Sequence, residues 1–364
     1  MDTITLCKKL LSYRTTSDKH EELVSIINFV EKYVTFASPN IFIKRFNHNN
    51  SPSILFTRKN SLKITKLLLG HLDVVPGEIK NFTPRVKGGK IYGRGTCDMK
   101  GVDAAMINAF ISTNTNENVA LYLSTDEEVG GEDGAGYLSK LKDLSYKSIY
   151  VPDSMPDYTL TIGQKGFEEI NLIATGKPAH GSEPWLGENA IEILMDNAIK
   201  IKSEFDKHFI SNLEGRDMNK PTMNIGMIKG GTAINQVPSS AYLTLDIRYF
   251  EEKEKNEFLN LIKNLAKKSS NIRVSRTMSG NPISLSLENE MILAFIKVLK
   301  LNKIKYKIGK ELGSSDARFF AKCKGCIMFT PICGGAHEDI EWINIDSLKK
   351  FEKITKDYIR MNVS

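Results

Sequence analysis

The chain has 364 residues, of which 41% are hydrophobic and 26% are charged, and its 50 lysines and arginines exceed its 43 aspartates and glutamates to give a formal charge of +7. This length allows two domains, and the composition is typical of a soluble globular protein. Basic residues are interspersed with acidic ones, as in EEKEKNEF at 251–258, which argues against a nucleic-acid partner.

The amino terminus, MDTITLCKKLLSYRTTSDKHEE, has no long apolar core after a basic start, and no later segment approaches eighteen uninterrupted apolar residues. We therefore expect a cytoplasmic protein with no membrane partner. Five cysteines, an odd number, do not suggest a disulfide framework. Cys323 and Cys326 form one CxxC pair without a second pair to complete a tetrahedral zinc site, which favours buried thiols.

The first part of the chain alternates between predicted strands and helices. An amphipathic helix is predicted from Ser17 to Val34, because apolar residues recur there at three- and four-residue intervals. This alternation indicates an α/β sheet whose loops, at the strand ends, carry the chemistry. Further predicted elements are strands at 40–44, 53–57, 64–69, 119–124 and 147–151 and a helix at 102–112.

The middle of the chain has the order β-α-β-β-α-β, which is the ferredoxin-like pattern. A helix at 288–301 then returns the chain to α/β material. We therefore predict one discontinuous domain formed by 1–165 and 282–364, with a second domain, 166–281, inserted in it. The inserted elements are predicted strands at 167–174, 222–229, 241–249 and 271–277 and helices at 189–201 and 252–267.

The segment GHLDVVPG at 70–77 directly follows the apolar run 64–69. Side chains at i and i+2 of a strand share a face, so His71 and Asp73 would lie on the same side. An aspartate there can accept the proton of one imidazole nitrogen and leave the other nitrogen to bind a metal. A strand-end histidine satisfied by a neighbouring carboxylate is the simpler alternative.

More acids and a second histidine follow other predicted strands and turns. Acids after strands are often only helix caps, so each one alone is a weak signal. Together, two histidines and three carboxylates, with one more carboxylate adjacent, suit two divalent cations of zinc type that share a bridging carboxylate. The residues are Asp98 in GRGTCDMKG, Glu127 and Glu128 in STDEEVGG, Asp153 in VPDS, and His337 in GGAHED.

The order of these motifs resembles the M20 metallopeptidases, which include succinyl-diaminopimelate desuccinylase, acetylornithine deacetylase, aminoacylase and several di- and tripeptidases. The resemblance covers nearly the whole chain. It implies a zinc-peptidase-like catalytic domain with a mixed sheet flanked by helices, an inserted lid or dimerisation domain, and a homodimer. Its other motifs here are GKPAHGSEPWLGENAI, GGTAINQVPSSAYLTLDIR and GSSDARFF.

Carried over by position, the resemblance also assigns roles at the site. Glu127 would be the general base that takes a proton from water and returns it to the leaving amine, and Asp73 would orient His71. Co²⁺ or Mn²⁺ would be able to replace zinc. The implied metal ligands are His71 and Asp153 for one Zn²⁺, Glu128 and His337 for the other, and Asp98 as the bridge.

The resemblance extends to substrate binding. His180 would stabilise the tetrahedral oxyanion in the partner subunit's site, although a loop histidine without a special task is the alternative. Asn235 and Arg248 would hold the substrate, since a guanidinium suits a carboxylate; a surface ion pair with Asp246 is the alternative for Arg248. Ser315 and Arg318, in GSSDARFF, are further predicted substrate-binding residues.

Two positions depart from the family pattern. The desuccinylase and deacetylase branches have glutamate where this chain has Asp153, and aspartate resembles the branches that cut dipeptides and tripeptides. Cys97 stands where a small or hydroxyl residue is more usual, and a buried bystander is favoured over an extra zinc ligand.

The predicted function is a co-catalytic di-zinc hydrolase that cleaves an amide bond of a small peptide or N-acyl amino acid. Succinyl-diaminopimelate desuccinylase or acetylornithine deacetylase is the alternative, favoured by GSSDARFF. A non-catalytic binding homologue is an alternative of another class, and Glu127 argues against it because a binder has no use for a proton shuttle.

Overall fold

The computed structural model describes residues 1–210 and 218–361. The chain divides into a larger unit, formed by Met1–Ile162, Leu285–Glu311 and Ser315–Ser364, and an inserted unit, formed by Gly163–Ser284 and Leu312–Ser314. Within residues 1–210 and 218–361, no helix is both long and apolar enough to cross a membrane.

Strands and helices are numbered in chain order. The strands are β1 (Phe42–His48), β2 (Ser51–Thr57), β3 (Lys63–His71), β4 (Arg85–Lys87), β5 (Lys90–Tyr92), β6 (Val119–Ser124), β7 (Ser145–Tyr150), β8 (Thr159–Gln164), β9 (Gly166–Thr175), β10 (Thr222–Gly230), β11 (Ser240–Tyr249), β12 (Ile272–Gly280), β13 (Ile283–Ser284), β14 (Lys307–Glu311), β15 (Cys326–Phe329), β16 (Cys333–Gly334) and β17 (Trp342–Asn344). The helices are α1 (Thr3–Leu11), α2 (His20–Ala37), α3 (Lys100–Ser112), α4 (Ala135–Ser139), α5 (Ala190–Phe209), α6 (Glu252–Ala266), α7 (Glu290–Leu301) and α8 (Ile345–Arg360).

The larger unit is built on a mixed sheet with the strand order β1-β2-β6-β3-β7-β15-β8. Strand β3 runs parallel to β6 and β7, whereas β2 is antiparallel to its neighbours. Every residue of β6 is buried, as expected for a central strand covered on both faces. Helices α1, α2, α3, α7 and α8 contribute buried side chains to the same core, which confirms the predicted α/β class with flanking helices.

The parallel strands determine where the acidic segments lie. Strand β3 ends at His71, β6 ends three residues before Glu127, and β7 ends three residues before Asp153. The carboxyl ends of neighbouring parallel strands lie at the same edge of a sheet. A second small sheet, β16-β17-β5-β4, pairs the strand before the Asp98 turn with the strand after His337.

The inserted unit has a sheet of order β10-β11-β9-β12 in which the neighbours are antiparallel. Together with α5 and α6, this arrangement confirms the predicted β-α-β-β-α-β pattern. Helix α5 continues eight residues beyond the predicted end at Ile201, because Phe205 and Phe209 extend its buried apolar stripe. Their rings contact each other and the ring of Phe258 on α6.

Two further differences concern local structure. Helix α2 begins at His20 and not at Ser17, because the peptide N–H of Lys19 closes a turn onto the carbonyl of Thr16. Helix α1 is absent from the prediction, although Leu6, Cys7, Leu10 and Leu11 are buried at helical spacing.

The cysteines require one correction. Cys97 is bonded to Cys333 in a disulfide across 236 positions, so it is neither a bystander nor an extra zinc ligand. The sequence does not indicate this pair, because the two segments are brought together by the small sheet. Cys323 and Cys326 are free and buried, which confirms the prediction of buried thiols.

Candidate dinuclear metal site

The five predicted metal ligands converge in the larger unit. Asp98 lies between the two histidines: its Oδ1 is 3.0 Å from Nε2 of His71, and its Oδ2 is 3.1 Å from Nε2 of His337. Asp153 lies on the side of His71, with Oδ2 4.0 Å from Nε2, and Glu128 lies on the side of His337, with Oε2 3.0 Å from Nε2. The two oxygens of one carboxylate thus face two separate imidazoles.

Two groups of side chains are close enough to hold a cation each. In each group, one candidate ligand atom per residue lies within 4.8 Å of the others. Glu127 belongs to the first group, so its carboxylate reaches the same volume as the predicted ligands. The groups are His71, Glu127 and Asp153, and Asp98, Glu128 and His337.

Asp73 lies behind His71, on the side of its other ring nitrogen. Nδ1 of His71 is 3.2 Å from the main-chain oxygen of Asp73 and 3.4 Å from its Oδ1. The Oδ2 of Asp73 accepts a hydrogen bond of 2.9 Å from the peptide N–H of Glu128. With acceptors on its Nδ1 side, the ring of His71 carries a proton there, and Nε2, on the side of Asp98, is the nitrogen that would be available to a cation.

Burial and mutual repulsion oppose ionisation of all the carboxylates at once. Burial, reinforced by the charges of Asp98 and Glu128, raises the pKa of Asp153 to about 8. The same two causes, burial and then the charge of Asp153, raise the pKa of Glu127 well above its ordinary value. Positive charge at this place would relieve the repulsion.

The two histidines, by contrast, are stabilised in their charged form. Hydrogen bonds to Asp98 and Glu128 raise the pKa of His337 to about 10. Burial by itself lowers the pKa of His71, but hydrogen bonds to Asp73 and Asp98 outweigh burial and raise that pKa well above its ordinary value. Protons bound to the two imidazoles therefore offset the negative charge of the carboxylates, as bound cations would. Imidazole nitrogens and carboxylate oxygens are also the donors preferred by zinc-type ions, so the residues present fit two divalent cations.

The turn that carries Asp98 is held by Glu341, a residue that was not predicted from the sequence. The buried carboxylate of Glu341 accepts hydrogen bonds from the peptide N–H groups of Gly95, Cys97 and Asp98. The peptide bond from Asp98 to Met99 is cis. The available signal was an acid four residues after His337.

Three more buried acids near these segments were not predicted. Burial raises the pKa of Asp316 to about 7 and that of Asp126 to about 6. Burial also raises the pKa of Asp103 well above its ordinary value, and neither carboxylate oxygen of Asp103 has a hydrogen-bond partner among the described residues. Asp103 and Asp316 lie inside helical segments, outside the predicted pattern of acids after strands. Asp126 follows β6 and fits that pattern, so the sequence offered a signal for this residue alone.

Ser315 and Arg318, the predicted substrate-binding residues of the larger unit, are both buried, and Arg318 lies beside Glu127. The Nη1 of Arg318 is 3.9 Å from Oε1 of Glu127, and its Nη2 donates a hydrogen bond of 2.5 Å to the carbonyl of Gly130. Ser315 begins the short helical turn Asp316–Phe320 and accepts from the peptide N–H of Ala317 at 3.4 Å. The guanidinium of Arg318 therefore lies next to the predicted proton carrier.

The other three predicted residues lie in the inserted unit. Nδ1 of the exposed His180 is 2.7 Å from Oγ of Ser182 and accepts from the Ser182 peptide N–H at 3.2 Å. Asn235 is exposed, and its main-chain oxygen accepts from the N–H of Gly181. Nε of Arg248 donates to Asp246 at 2.7 Å, which is the ion pair given above as the alternative for Arg248.

The chain is similar to known proteins over most of its length. A family model described as peptidase family M20/M25/M40 matches residues 67–361. Among curated proteins, a succinyl-diaminopimelate desuccinylase from Pelagibacter ubique is 27% identical over 383 aligned positions, which cover 98% of this chain and 98% of that protein.

Solved structures share the fold. A metallo-carboxypeptidase of the M20 family from Sulfolobus solfataricus has a TM-score of 0.78 at 18% identity, over 99% of each chain. A dinuclear metal-binding M20 peptidase from Bacillus subtilis has a TM-score of 0.70 at 12% identity, over 98% of this chain and 97% of that chain. At these identities the similarity is one of fold, and the fold class predicted from sequence is confirmed.

Proposed function

Because the chain belongs to peptidase family M20/M25/M40, we propose that it is a di-zinc hydrolase that cleaves an amide bond in a small peptide or an N-acyl amino acid. The observation that carries this proposal is the position of Asp98, whose two oxygens lie about one hydrogen-bond length from His71 and His337. A carboxylate so placed is suited to bridge two cations.

The ions would be Zn²⁺, with Co²⁺ or Mn²⁺ as substitutes. When bound, they would polarise the scissile carbonyl and lower the pKa of a water molecule. The protein would supply the ligands and keep them oriented, Asp73 through Nδ1 of His71. One ion would be held by His71 and Asp153, and the other would be held by Glu128 and His337. Asp98 would contact both ions.

Glu127 would move the proton. Its buried carboxylate has a raised pKa, which suits a group that must take a proton from water and then release it to the leaving nitrogen. The charge of His71 opposes that rise in pKa, and the guanidinium of Arg318, 3.9 Å from Oε1 of Glu127, would likewise favour the ionised carboxylate. Glu127 also lies within reach of His71 and Asp153, so a ligand role is the competing assignment.

His180 would donate to the oxyanion of a partner subunit in a homodimer. Its Nδ1 accepts from the Ser182 peptide, so the neutral ring carries its proton on Nε2, where a donor is needed. Asn235, Arg248 and Ser315 would hold the substrate, with a substrate carboxylate taking the place of Asp246 on the Arg248 guanidinium. The inserted unit would thus act as a lid and dimerisation domain. A cytoplasmic location and the absence of nucleic-acid and membrane partners stay predictions.

Desuccinylation is the second candidate. It is favoured by the similarity to a desuccinylase over nearly the full length of both chains. Asp153 favours the first candidate, because the desuccinylase and deacetylase branches have glutamate at that position.

A substrate panel distinguishes the two candidates. The zinc-loaded protein is offered dipeptides, tripeptides, N-acetyl amino acids and N-succinyl amino acids including N-succinyl-diaminopimelate, and the released primary amine is measured. We expect turnover of peptides or N-acetyl amino acids, whereas preferential turnover of the N-succinyl compounds would select the second candidate. A panel without any turnover, with zinc or with cobalt, would overturn both. Protein carrying Glu127→Gln serves as the control for contaminating hydrolases.

A further inference from the structure

Two segments far apart in the chain are joined next to the metal ligands. The pairing of β5 with β17 matches Tyr92 with Trp342, and the ladder continues with a hydrogen bond of 3.1 Å from the N–H of Gly93 to the carbonyl of Glu341. The turn after β5 leads to Asp98, and the loop before β17 carries His337. This register places Glu341 directly beside the turn.

The side chain of Glu341 is enclosed, with 2% of its surface exposed. Its Oε2 accepts from the peptide N–H of Gly95 at 2.7 Å and from Nη1 of Arg94 at 3.0 Å. Its Oε1 accepts from the peptide N–H groups of Cys97 at 2.7 Å and Asp98 at 3.0 Å. One carboxylate therefore accepts from three peptide N–H groups, of which those of Gly95 and Cys97 are buried, and from a guanidinium.

The backbone of the turn from Gly95 to Asp98 directs several peptide N–H groups towards a single acceptor. Gly95 has a φ of +87°, which lets successive N–H groups point towards one place. Buried peptide N–H groups without an acceptor are strongly disfavoured. The described contacts supply one acceptor for all three, the carboxylate of Glu341.

We propose that Glu341 is a positioning residue that fixes the bridging carboxylate between the two cations. The peptide N–H of Asp98 is itself one of the bonds to Glu341, so a shift of this contact moves the carboxylate that follows. Glu341 also belongs to the segment of His337, whose Nε2 is 3.1 Å from Oδ2 of Asp98. A single side chain thus sets the separation of two ligands. The inference rests on the proposed function.

A purely structural role is the alternative. Arg94 and Glu341 form a buried ion pair, and the loss of one partner from such a pair destabilises a protein wherever it lies. The two roles differ in what a substitution does to the metal, because a structural role affects the unfolding transition and leaves the cation site of the folded protein as it was.

The test is Co²⁺ binding to the full-length protein with Glu341→Gln. The amide keeps the size of the side chain but presents an NH₂ group to peptide N–H donors, so the turn must shift. The disulfide from Cys97 to Cys333 still joins the segments, which favours a folded variant. We expect Co²⁺ affinity to fall about 10- to 100-fold, together with a changed visible absorption spectrum, because the ligand geometry changes.

Glu168→Gln is the matched control. Glu168 is a fully buried glutamate that accepts two hydrogen bonds of 2.7 Å from Arg276, and it lies in the inserted unit, which supplies none of the five predicted metal ligands. Its substitution should lower the melting temperature and leave Co²⁺ affinity and spectrum unchanged. An equal loss of affinity in both variants would overturn the inference.

The remaining outcomes are also decisive. If wild-type protein takes up two Co²⁺ and Glu341→Gln binds them with the same affinity and spectrum, the inference fails while the proposed function stands. If wild-type protein takes up none, the proposed function fails and the inference with it. If Glu341→Gln does not fold, Glu341→Asp decides: its shorter side chain should bind Co²⁺ more weakly than wild type, and wild-type affinity would overturn the inference.

Discussion

Asp73 turns both its main-chain oxygen, at 3.2 Å, and its Oδ1, at 3.4 Å, towards Nδ1 of His71. The other carboxylate oxygen, Oδ2, accepts from the peptide N–H of Glu128. Both partners of this carboxylate are donors. In Asp73→Asn, the NH₂ group of the new side chain would therefore face one of these N–H donors, and no hydrogen bond could form between them.

We expect Asp73→Asn to lower Zn²⁺ affinity about 10- to 100-fold, which is typical when the partner of a metal-binding histidine is lost. Competition with a chromophoric chelator measures this. Asp133→Asn is the control, because Asp133 bonds His48 and Asn49 and belongs to neither metal group. Equal affinities for wild type and Asp73→Asn would contradict the orienting role of Asp73.

Part of this site follows from sequence. The apolar runs of β3, β6 and β7 identify buried strands, and the acids directly after them are brought together because those strands are parallel. Glu341 and the Cys97–Cys333 disulfide do not follow in this way, since both depend on a small sheet that joins segments more than 200 positions apart. Their strands, β16 and β17, are two and three residues long, too short for a periodic pattern.

Stability should depend on pH in the metal-free protein. The pKa of Asp153 is raised to about 8 and that of His337 to about 10, whereas in an unfolded chain these groups release their protons near 4 and about 6.5. Between pH 6 and 9 the folded state therefore binds more protons than the unfolded state. Its stability must fall as pH rises through this range.

Thermal melts of EDTA-treated protein test this prediction. The melting temperature should decrease from pH 6 to pH 9, and Asp153→Asn should make the decrease shallower. Bound cations take the place of the protons, so the zinc-loaded protein should lose much of the dependence. A melting temperature that rises with pH in the metal-free protein would show that these groups are not protonated as described.

Reduction of the disulfide should destabilise the fold. The bond between Cys97 and Cys333 closes a loop of 236 positions, and a native disulfide contributes on the order of 2 to 4 kcal/mol to the free energy of unfolding. Urea unfolding with and without a phosphine reductant measures the difference. The double variant Cys97→Ala, Cys333→Ala is the control and should not respond, because the other cysteines are free thiols. Identical wild-type curves in both conditions would mean that the bond does not form.

Complementation tests the role of His180 in a partner subunit. His180→Ala and Glu127→Gln should each be inactive. Half of the dimers formed on mixing would combine the two variants, and each would have one intact site, so activity should return to roughly a quarter of the wild-type value. His208→Ala changes another exposed histidine of the inserted unit and should stay active alone. Mixed dimers seen by native mass spectrometry but without activity would place His180 outside the partner's site.

The most direct test of the central claim compares Glu127→Gln with Glu128→Gln by metal content and turnover. The adjacent carboxylates lie in different groups, and the proposed function makes only Glu128 a cation ligand. We predict two zinc ions per chain in wild type and in Glu127→Gln, with turnover of the latter reduced by about 100-fold or more, and one ion fewer in Glu128→Gln. A wild-type protein that holds no divalent metal and stays inert after zinc or cobalt is supplied would contradict the account.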